Sequence, residues 1–159
     1  MFVEKNKVNV VASKNFDPVA VQNAFTLVPN QGDFDGSYGL QCVDLTKWFV
    51  HTYTTLEVAR GNGDAQAKNI ADANSLPTPS SIPVAPAAFS VAGGIKSFGG
   101  GHNAGHTGIV LSVDTVNKTA TVLHTQISLT GESPNSKIDT FSYPADGVTF
   151  TYLGDYLKD

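Results

Sequence analysis

The chain has 159 residues, of which 41% are hydrophobic and 15% are charged, which predicts a folded domain with a real core and excludes a disordered chain. Its net charge of -4 offers no basic surface to nucleic acid, and no apolar run approaches the length of a membrane span. A single cysteine excludes an intrachain disulfide and a zinc site built from several cysteines. We therefore expect no nucleic-acid partner, no membrane partner and a monomer.

The first half of the chain carries helical patterns after a mixed, polar stretch at residues 1–15, where we expect a short strand or an arm. Apolar side chains recur there at steps of three and four, which is one face of a helix. Asp17 and Pro18 are typical of an N-cap and a first helical position, and Gly61 after Arg60 is typical of a helix end. The predicted helices cover residues 17–27, 42–59 and 64–73.

The second half has the pattern of a β-sheet. Residues 75–88 are rich in proline and predict an extended internal connection; a true domain boundary is the alternative, although neither half alone has the length for a comfortable core. Alternating runs rich in β-branched residues follow, separated by turns. The predicted strands cover residues 107–113, 119–127, 138–143 and 148–153. Helices followed by an antiparallel sheet indicate an α+β fold in one domain, residues 1–159.

Cys42 lies where a cysteine can act as a nucleophile. It opens the second predicted helix, and both a helix N-terminus and a nearby histidine lower the pKa of a thiol. Gln41, just before it, has a side-chain amide that can donate to a developing oxyanion. The alternative for a lone cysteine is a buried small residue.

The four histidines are the candidates for its base. His106 opens the first strong strand, and a strand end fixes the direction of a side chain better than a loop does. His102 lies in a glycine-rich loop that can serve as a substrate lip. His51 is off the apolar stripe of its helix and is expected at the surface, and His124, inside a strand, is typical of a packed or surface residue. We therefore take His106 as the base.

Three motifs together resemble the CHAP family, the cysteine, histidine-dependent amidohydrolases/peptidases of phage lysins and bacterial wall hydrolases. They are Tyr-Gly-Leu-Gln-Cys-Val-Asp-Leu at 38–45, Gly-Asn-Gly-Asp-Ala at 61–65 and Gly-His-Thr-Gly-Ile-Val-Leu-Ser-Val at 105–113. The resemblance covers about residues 17–127 and implies a papain-like fold, with Cys42 as nucleophile and His106 as base. It also implies peptidoglycan as substrate, cut at an amide of the stem peptide or cross-bridge, or between muramic acid and L-alanine.

The third catalytic residue departs from the pattern of the family. Many members carry a Glu and an Asn after the histidine strand, and here His124 takes the Glu position and Gln126 the Asn position. We predict that Gln126 orients the imidazole through its carbonyl, because His124 supplies no negative charge. Two alternatives stay open: a catalytically weakened domain that binds wall peptides under calcium, and a cytosolic thiol hydrolase of small amides.

Acidic residues around the cysteine have the spacing of a calcium loop. Counted from Asp33 as position one, ligand types fall at positions three, five, seven and twelve, with a backbone carbonyl expected at seven. The glycine position and the final Asp depart from the EF-hand pattern. A solvated Asp-Gly turn is the alternative, and the family resemblance favours a structural Ca²⁺. The predicted ligands are Asp33, Asp35, Ser37, Gly39 and Asp44.

The N-terminus has an acidic residue, Glu4, and no long apolar run behind it, so we expect no secretory signal peptide. Together with the implied substrate, this favours a phage-encoded enzyme. Such an enzyme acts on the host cell wall after holin release or from the virion tail. The chain is then either a whole enzyme or a catalytic domain cut from a longer one.

Overall fold

The computed structural model describes residues 14–36, 41–93, 104–125 and 134–158. Within these ranges three α-helices precede a five-stranded antiparallel sheet, which confirms the predicted α+β class. The helices are α1 Pro18–Thr26, α2 Cys42–Tyr53 and α3 Gln66–Ala73. The strands are β1 Ala87–Val91, β2 His106–Asp114, β3 Thr119–His124, β4 Lys137–Ser142 and β5 Val148–Tyr152. None of the described helices has the length and hydrophobicity needed to cross a lipid bilayer.

The ends of α1 and α2 have different causes. α1 begins as predicted, because the side chain of Asp17 accepts the backbone N–H of Val19 at 3.1 Å. α2 stops at Tyr53, well before the predicted end at residue 59. There Thr54 turns to extended backbone, and it forms an antiparallel bridge with Leu157 near the C-terminus. The hydroxyl of Thr54 also donates to the carbonyl oxygen of Val50 and accepts the backbone N–H of Leu56, so a local turn and a bridge to a distant residue coincide at the end of the helix.

The interior strand β1 was not predicted. The strand order is β4-β3-β2-β1-β5, so β1 pairs with β2 on one side and with β5 on the other. All five of its residues are buried, and two are alanines with little preference for strands. It therefore has neither the alternation nor the composition by which strands are recognised. The prediction of an extended connection over residues 75–88 is wrong at its last two residues, 87 and 88, which belong to this strand.

The sheet is strongly curled. β4 and β5 lie at opposite edges of the sheet, and residues 143–147 are enough to join them. In a flat sheet, strands four positions apart would be separated by about 19 Å. The ring centroids of Phe141 on β4 and Phe150 on β5 are only 6.2 Å apart. The sheet therefore has a concave face, where these two rings meet, and a convex face.

Hydrophobic clusters fill both faces of the sheet. On the convex face α1, α2 and α3 pack against alternate strand residues such as Ile109 and Leu123. On the concave face Val110 and Val122 pack with the aromatic side chains of Phe89 and of the edge strands. Because side chains alternate along a strand, the histidines that begin β2 and end β3 belong to the concave face.

Candidate active site

Cys42 is the first residue of α2, and its side chain is half-buried. The backbone N–H groups of Cys42, of Val43 and of Thr107 on β2 are within hydrogen-bonding reach of the sulfur, and they lower the pKa of the thiol. Burial is the larger effect and raises that pKa, as does the nearby charge of Asp44. The backbone N–H groups at the helix start thus lower the pKa of the thiol as predicted, but burial outweighs them and the net shift of this pKa is upward.

A pair of threonines fixes the start of α2 against β2. Thr46, one helical turn after Cys42, has its Oγ1 3.0 Å from Oγ1 of Thr107, and both residues are buried. The hydroxyl of Thr107 donates to the carbonyl oxygen of Phe89 at 2.7 Å, so its one proton is used and Thr46 is the donor of the pair. Since Thr107 directly follows His106, these bonds fix the start of α2 against the backbone next to the histidine.

Three side chains form a hydrogen-bonded chain across β2, β3 and β4. Nε2 of His106 lies 2.9 Å from Nδ1 of His124, and Nε2 of His124 lies 2.6 Å from Oδ2 of Asp139. The two histidines are 4% and 1% exposed, whereas the side chain of Asp139 is 39% exposed. The expectation that His124 is simply a packed or surface residue misses its contact with His106, and the sequence reasoning did not single out Asp139 at all.

Strand register explains how these side chains meet. Gly108 lies directly opposite His124, and Val122 lies directly opposite Asp139, so each contact joins residues two positions out of register on the same face. The glycine leaves the room that this diagonal contact needs. A Cβ built on Gly108 would lie 2.7 Å from the ring of Phe89 and 2.9 Å from Cβ of His124.

Gly63 supports the backbone of the histidine from behind. A Cβ at this glycine would lie 2.7 Å from the carbonyl carbon and 2.8 Å from Cα of His106. The next residue, Asp64, donates its backbone N–H to the carbonyl oxygen of Ala104 at 3.0 Å. The Gly-Asn-Gly-Asp-Ala motif therefore holds the start of the histidine strand in place.

Asp33, Asp35 and Asp44 bring carboxylate oxygens within 4.8 Å of one another. The buried Asp44 accepts the backbone N–H of Asp35 at 3.1 Å and that of Gln41 at 2.7 Å, while the ammonium of Lys47 lies 2.9 Å from Asp35. Among the described residues the buried Oδ1 of Asp33 has no hydrogen-bond partner. Three carboxylates and one ammonium leave a net charge of −2, and an oxygen ligand set suits a hard divalent cation.

Burial raises the pKa of Asp44 to about 6, and the charges of Asp35 and Asp33 act in the same direction. A carboxyl with a higher pKa in the folded state than in the unfolded state contributes stability at low pH, which is lost as the pH rises through about 6. In EDTA we therefore expect a melting temperature a few degrees higher at about pH 5 than at about pH 7.5, since about 1 kcal/mol moves it by roughly 2–4 °C.

Calorimetry of Asp44→Asn checks this expectation, because the amide does not titrate and most of the difference between the two pH values should disappear. Asp72→Asn, a change at an exposed aspartate of α3, should leave that difference unchanged. A pH dependence that survives intact in Asp44→Asn would show that other groups cause it.

Several predicted site residues lie outside the described ranges, so their roles stay predictions. They are Ser37 and Gly39 for the metal, Gln126 for the third catalytic residue and His102 for the substrate lip. Gln41 is described, at the N-cap of α2 and half-buried, and its role toward an oxyanion also stays a prediction.

A comparison with protein families matches residues 31–126 to the CHAP domain, which confirms the resemblance to that family. The matched range holds Cys42, His106, His124 and the acidic cluster, while Asp139 lies beyond it. The comparison with curated proteins gives no match.

Proposed function

Because the chain belongs to the CHAP family, whose domain implies amidase or peptidase activity on the cell wall, we propose that it cleaves an amide of peptidoglycan with Cys42 as nucleophile and His106 as base. The observation that carries this proposal is the junction of α2 and β2. There the sulfur lies within reach of the backbone of Thr107, the neighbour of the histidine. The proposed nucleophile on α2 is thus next to the residue that follows the proposed base on β2.

In the proposed reaction His106 takes the thiol proton while the sulfur attacks the carbonyl carbon of the amide. The raised pKa of the thiol favours removal of the proton during attack over a preformed ion pair. Backbone N–H groups at the start of α2 and the side-chain amide of Gln41 stabilise the oxyanion. The imidazolium then returns the proton to the leaving amine, and water, activated by the same imidazole, hydrolyses the thioester.

The finer parts of the proposal concern substrate and setting. We propose an endopeptidase or an N-acetylmuramoyl-L-alanine amidase that works as a monomer. We further propose that it is phage-encoded and acts on the host wall after holin release or from the virion tail. The three motifs resemble a family that includes phage lysins as well as bacterial wall hydrolases, which is compatible with this origin.

Mass spectrometry of digested Gram-positive walls tests the function directly. An endopeptidase creates new amino termini within the stem peptide or cross-bridge, whereas an amidase frees the amino group of L-alanine from muramic acid. We expect one of these two termini to accumulate in proportion to enzyme and time. Walls that sediment with the protein but yield no new termini would overturn the proposal in favour of a calcium-dependent binding module.

We also propose that the acidic cluster holds a structural calcium ion. The residues fit such an ion, because a buried oxygen of Asp33 has no hydrogen-bond partner among the described residues and the cluster has a net charge of −2. The ion would compensate that charge and fix the turn that leads into α2. Asp44 belongs both to the cluster and to the first turn of α2, so the metal would act on the position of Cys42 through this residue.

Chelation is expected to lower both the melting temperature and the rate of wall lysis. Calcium at about 100 times its Kd contributes about 2.7 kcal/mol, or roughly 5–10 °C in a chain of this size. Calorimetry with EDTA, then with calcium or magnesium, measures the effect, and magnesium should restore less because it demands stricter geometry. Asp33→Asn should weaken the response to calcium, while Asp72→Asn should not. A midpoint insensitive to EDTA and calcium would contradict the metal proposal.

A further inference from the structure

We propose that His124 and Asp139 are positioning residues that carry negative charge to His106 in two steps, in place of a carboxylate that contacts the base directly. This inference rests on the proposed function of His106 as the base. The chain of contacts, 2.9 Å and then 2.6 Å long, ends on the carboxylate of Asp139. That residue lies on the edge strand β4, outside the matched range of residues 31–126.

The positions of the protons follow from the carboxylate end of the chain. An ionised carboxylate only accepts, so Nε2 of His124 must carry a proton and donate it to Asp139. In a neutral imidazole Nδ1 is then an acceptor, so Nε2 of His106 must donate to it. His106 is thereby held in the tautomer that has Nδ1 as its basic nitrogen, and Nδ1 is the atom that takes the thiol proton.

The same arrangement stabilises the state formed during the reaction. When His106 becomes an imidazolium, its Nε2–H bond to His124 becomes charge-assisted, and His124 in turn donates to the carboxylate. The positive charge and the negative charge are then separated by one neutral ring. Both imidazoles are buried, and solvent screens electrostatic interactions less there than in water. The side chain of Asp139 is half-exposed, while the two imidazoles that relay its effect are buried.

The relay requires His124 to be neutral, and its surroundings favour that state. Burial lowers its pKa, with a smaller effect in the same direction from Lys137, while Asp139 opposes them. Among the described residues, the titratable groups shown to face it are His106 from β2 and Asp139 and Lys137 from β4. α1 and α2 pack against the opposite face of β3. A protonated His124 would present a proton on Nδ1 to His106 and remove the acceptor, so activity should fall on the acid side.

Asp139→Asn tests the relay, because the amide retains an acceptor for His124 but no charge. We expect kcat for wall hydrolysis to fall roughly 10- to 100-fold with KM changed less than about twofold. The acid limb of the pH profile should also move to lower pH, because the imidazolium loses its stabilising charge. Asp139→Glu should recover at least part of kcat and of the pH profile, and Ser142→Ala, at an exposed position of β4, should match the wild type.

An Asp139→Asn variant with wild-type kcat would overturn the relay. The relay would also be overturned if kcat fell only in proportion to the amount of folded protein and the acid limb of the pH profile did not move. A contact with a purely structural role would give that result.

Nitrogen-15 NMR of the imidazoles in the resting wild-type protein provides a readout that needs no catalysis. Protons on Nε2 of both His106 and His124 support the relay, and a neutral His124 with its proton on Nδ1 overturns it. Because this spectrum is independent of wall cleavage, it tests the relay even in a protein that yields no new amino termini, so failure of the relay and failure of the proposed function remain distinguishable.

Discussion

Replacing Cys42 by alanine is expected to abolish the release of new amino termini from cell walls, with a loss of about 10³-fold or more in rate. The thiol is the nucleophile of the proposed reaction, and no other group can form the thioester. Because the side chain is only half-buried and opens its helix, the change should leave the melting temperature close to that of the wild type. Turbidity loss of a wall suspension and calorimetry of the same preparation measure the two quantities.

Cys42→Ser is the matched control for size and hydrogen bonding. The hydroxyl can keep the contacts of the sulfur with backbone N–H groups, but its proton is much harder to remove, and burial penalises the anion further. We expect this variant to be inactive as well, which would separate the chemistry of the thiol from its packing. Wall lysis at the wild-type rate in the alanine variant would refute the assignment of the nucleophile.

Gly63→Ala is expected to have the second largest effect, because the new methyl group meets backbone that no rotamer change can move. Its carbon would lie 2.7–2.9 Å from three backbone atoms of His106. Relieving that contact displaces the base, and a displacement of about 1 Å can cost about 10²-fold in rate. Overpacking at a buried position should also lower the free energy of unfolding by roughly 1–3 kcal/mol.

Initial rates of wall hydrolysis and urea unfolding give the two numbers. Asn62→Ala is the control, since Asn62 is the exposed neighbour in the same loop and its replacement adds no atoms. The steric argument fails if Gly63→Ala hydrolyses walls as fast as Asn62→Ala.

Local sequence predicts the elements whose boundaries are set locally. α1 begins at an Asp-Pro pair that satisfies its first backbone donors, so its start could be read directly. β1 could not be found in this way, because burial on both faces removes the alternation that marks a strand. The end of α2 was not predicted for a related reason: the bridge between Thr54 and Leu157 joins two positions that are far apart in the sequence.

In the candidate site, too, the residues marked by local sequence were predicted and those brought together by strand pairing were not. Cys42 and His106 were singled out because each occupies the first position of an element and lies within a motif. The contact of His124 with Asp139 depends on the register between β3 and β4, which motif reading does not supply. The sequence did contain a signal for this contact. If β3 and β4 are antiparallel neighbours, the alternation of side chains along each strand can place His124 and Asp139 on the same face of the sheet.

The position of β1 in the sheet also has a consequence for the order of events during protein synthesis. Its second neighbour, β5, is the last of the described strands, and the pairing extends from Ala87 with Tyr152 to Val91 with Val148. A nascent chain therefore cannot cover β1 on both sides until residue 152 has left the ribosome, and such non-local pairing is slow to form. The helix that carries the thiol can form earlier, but the sheet that holds its base is completed last. A partly synthesised chain is thus expected to be inert toward the wall, and activity arises only once the last strand has paired.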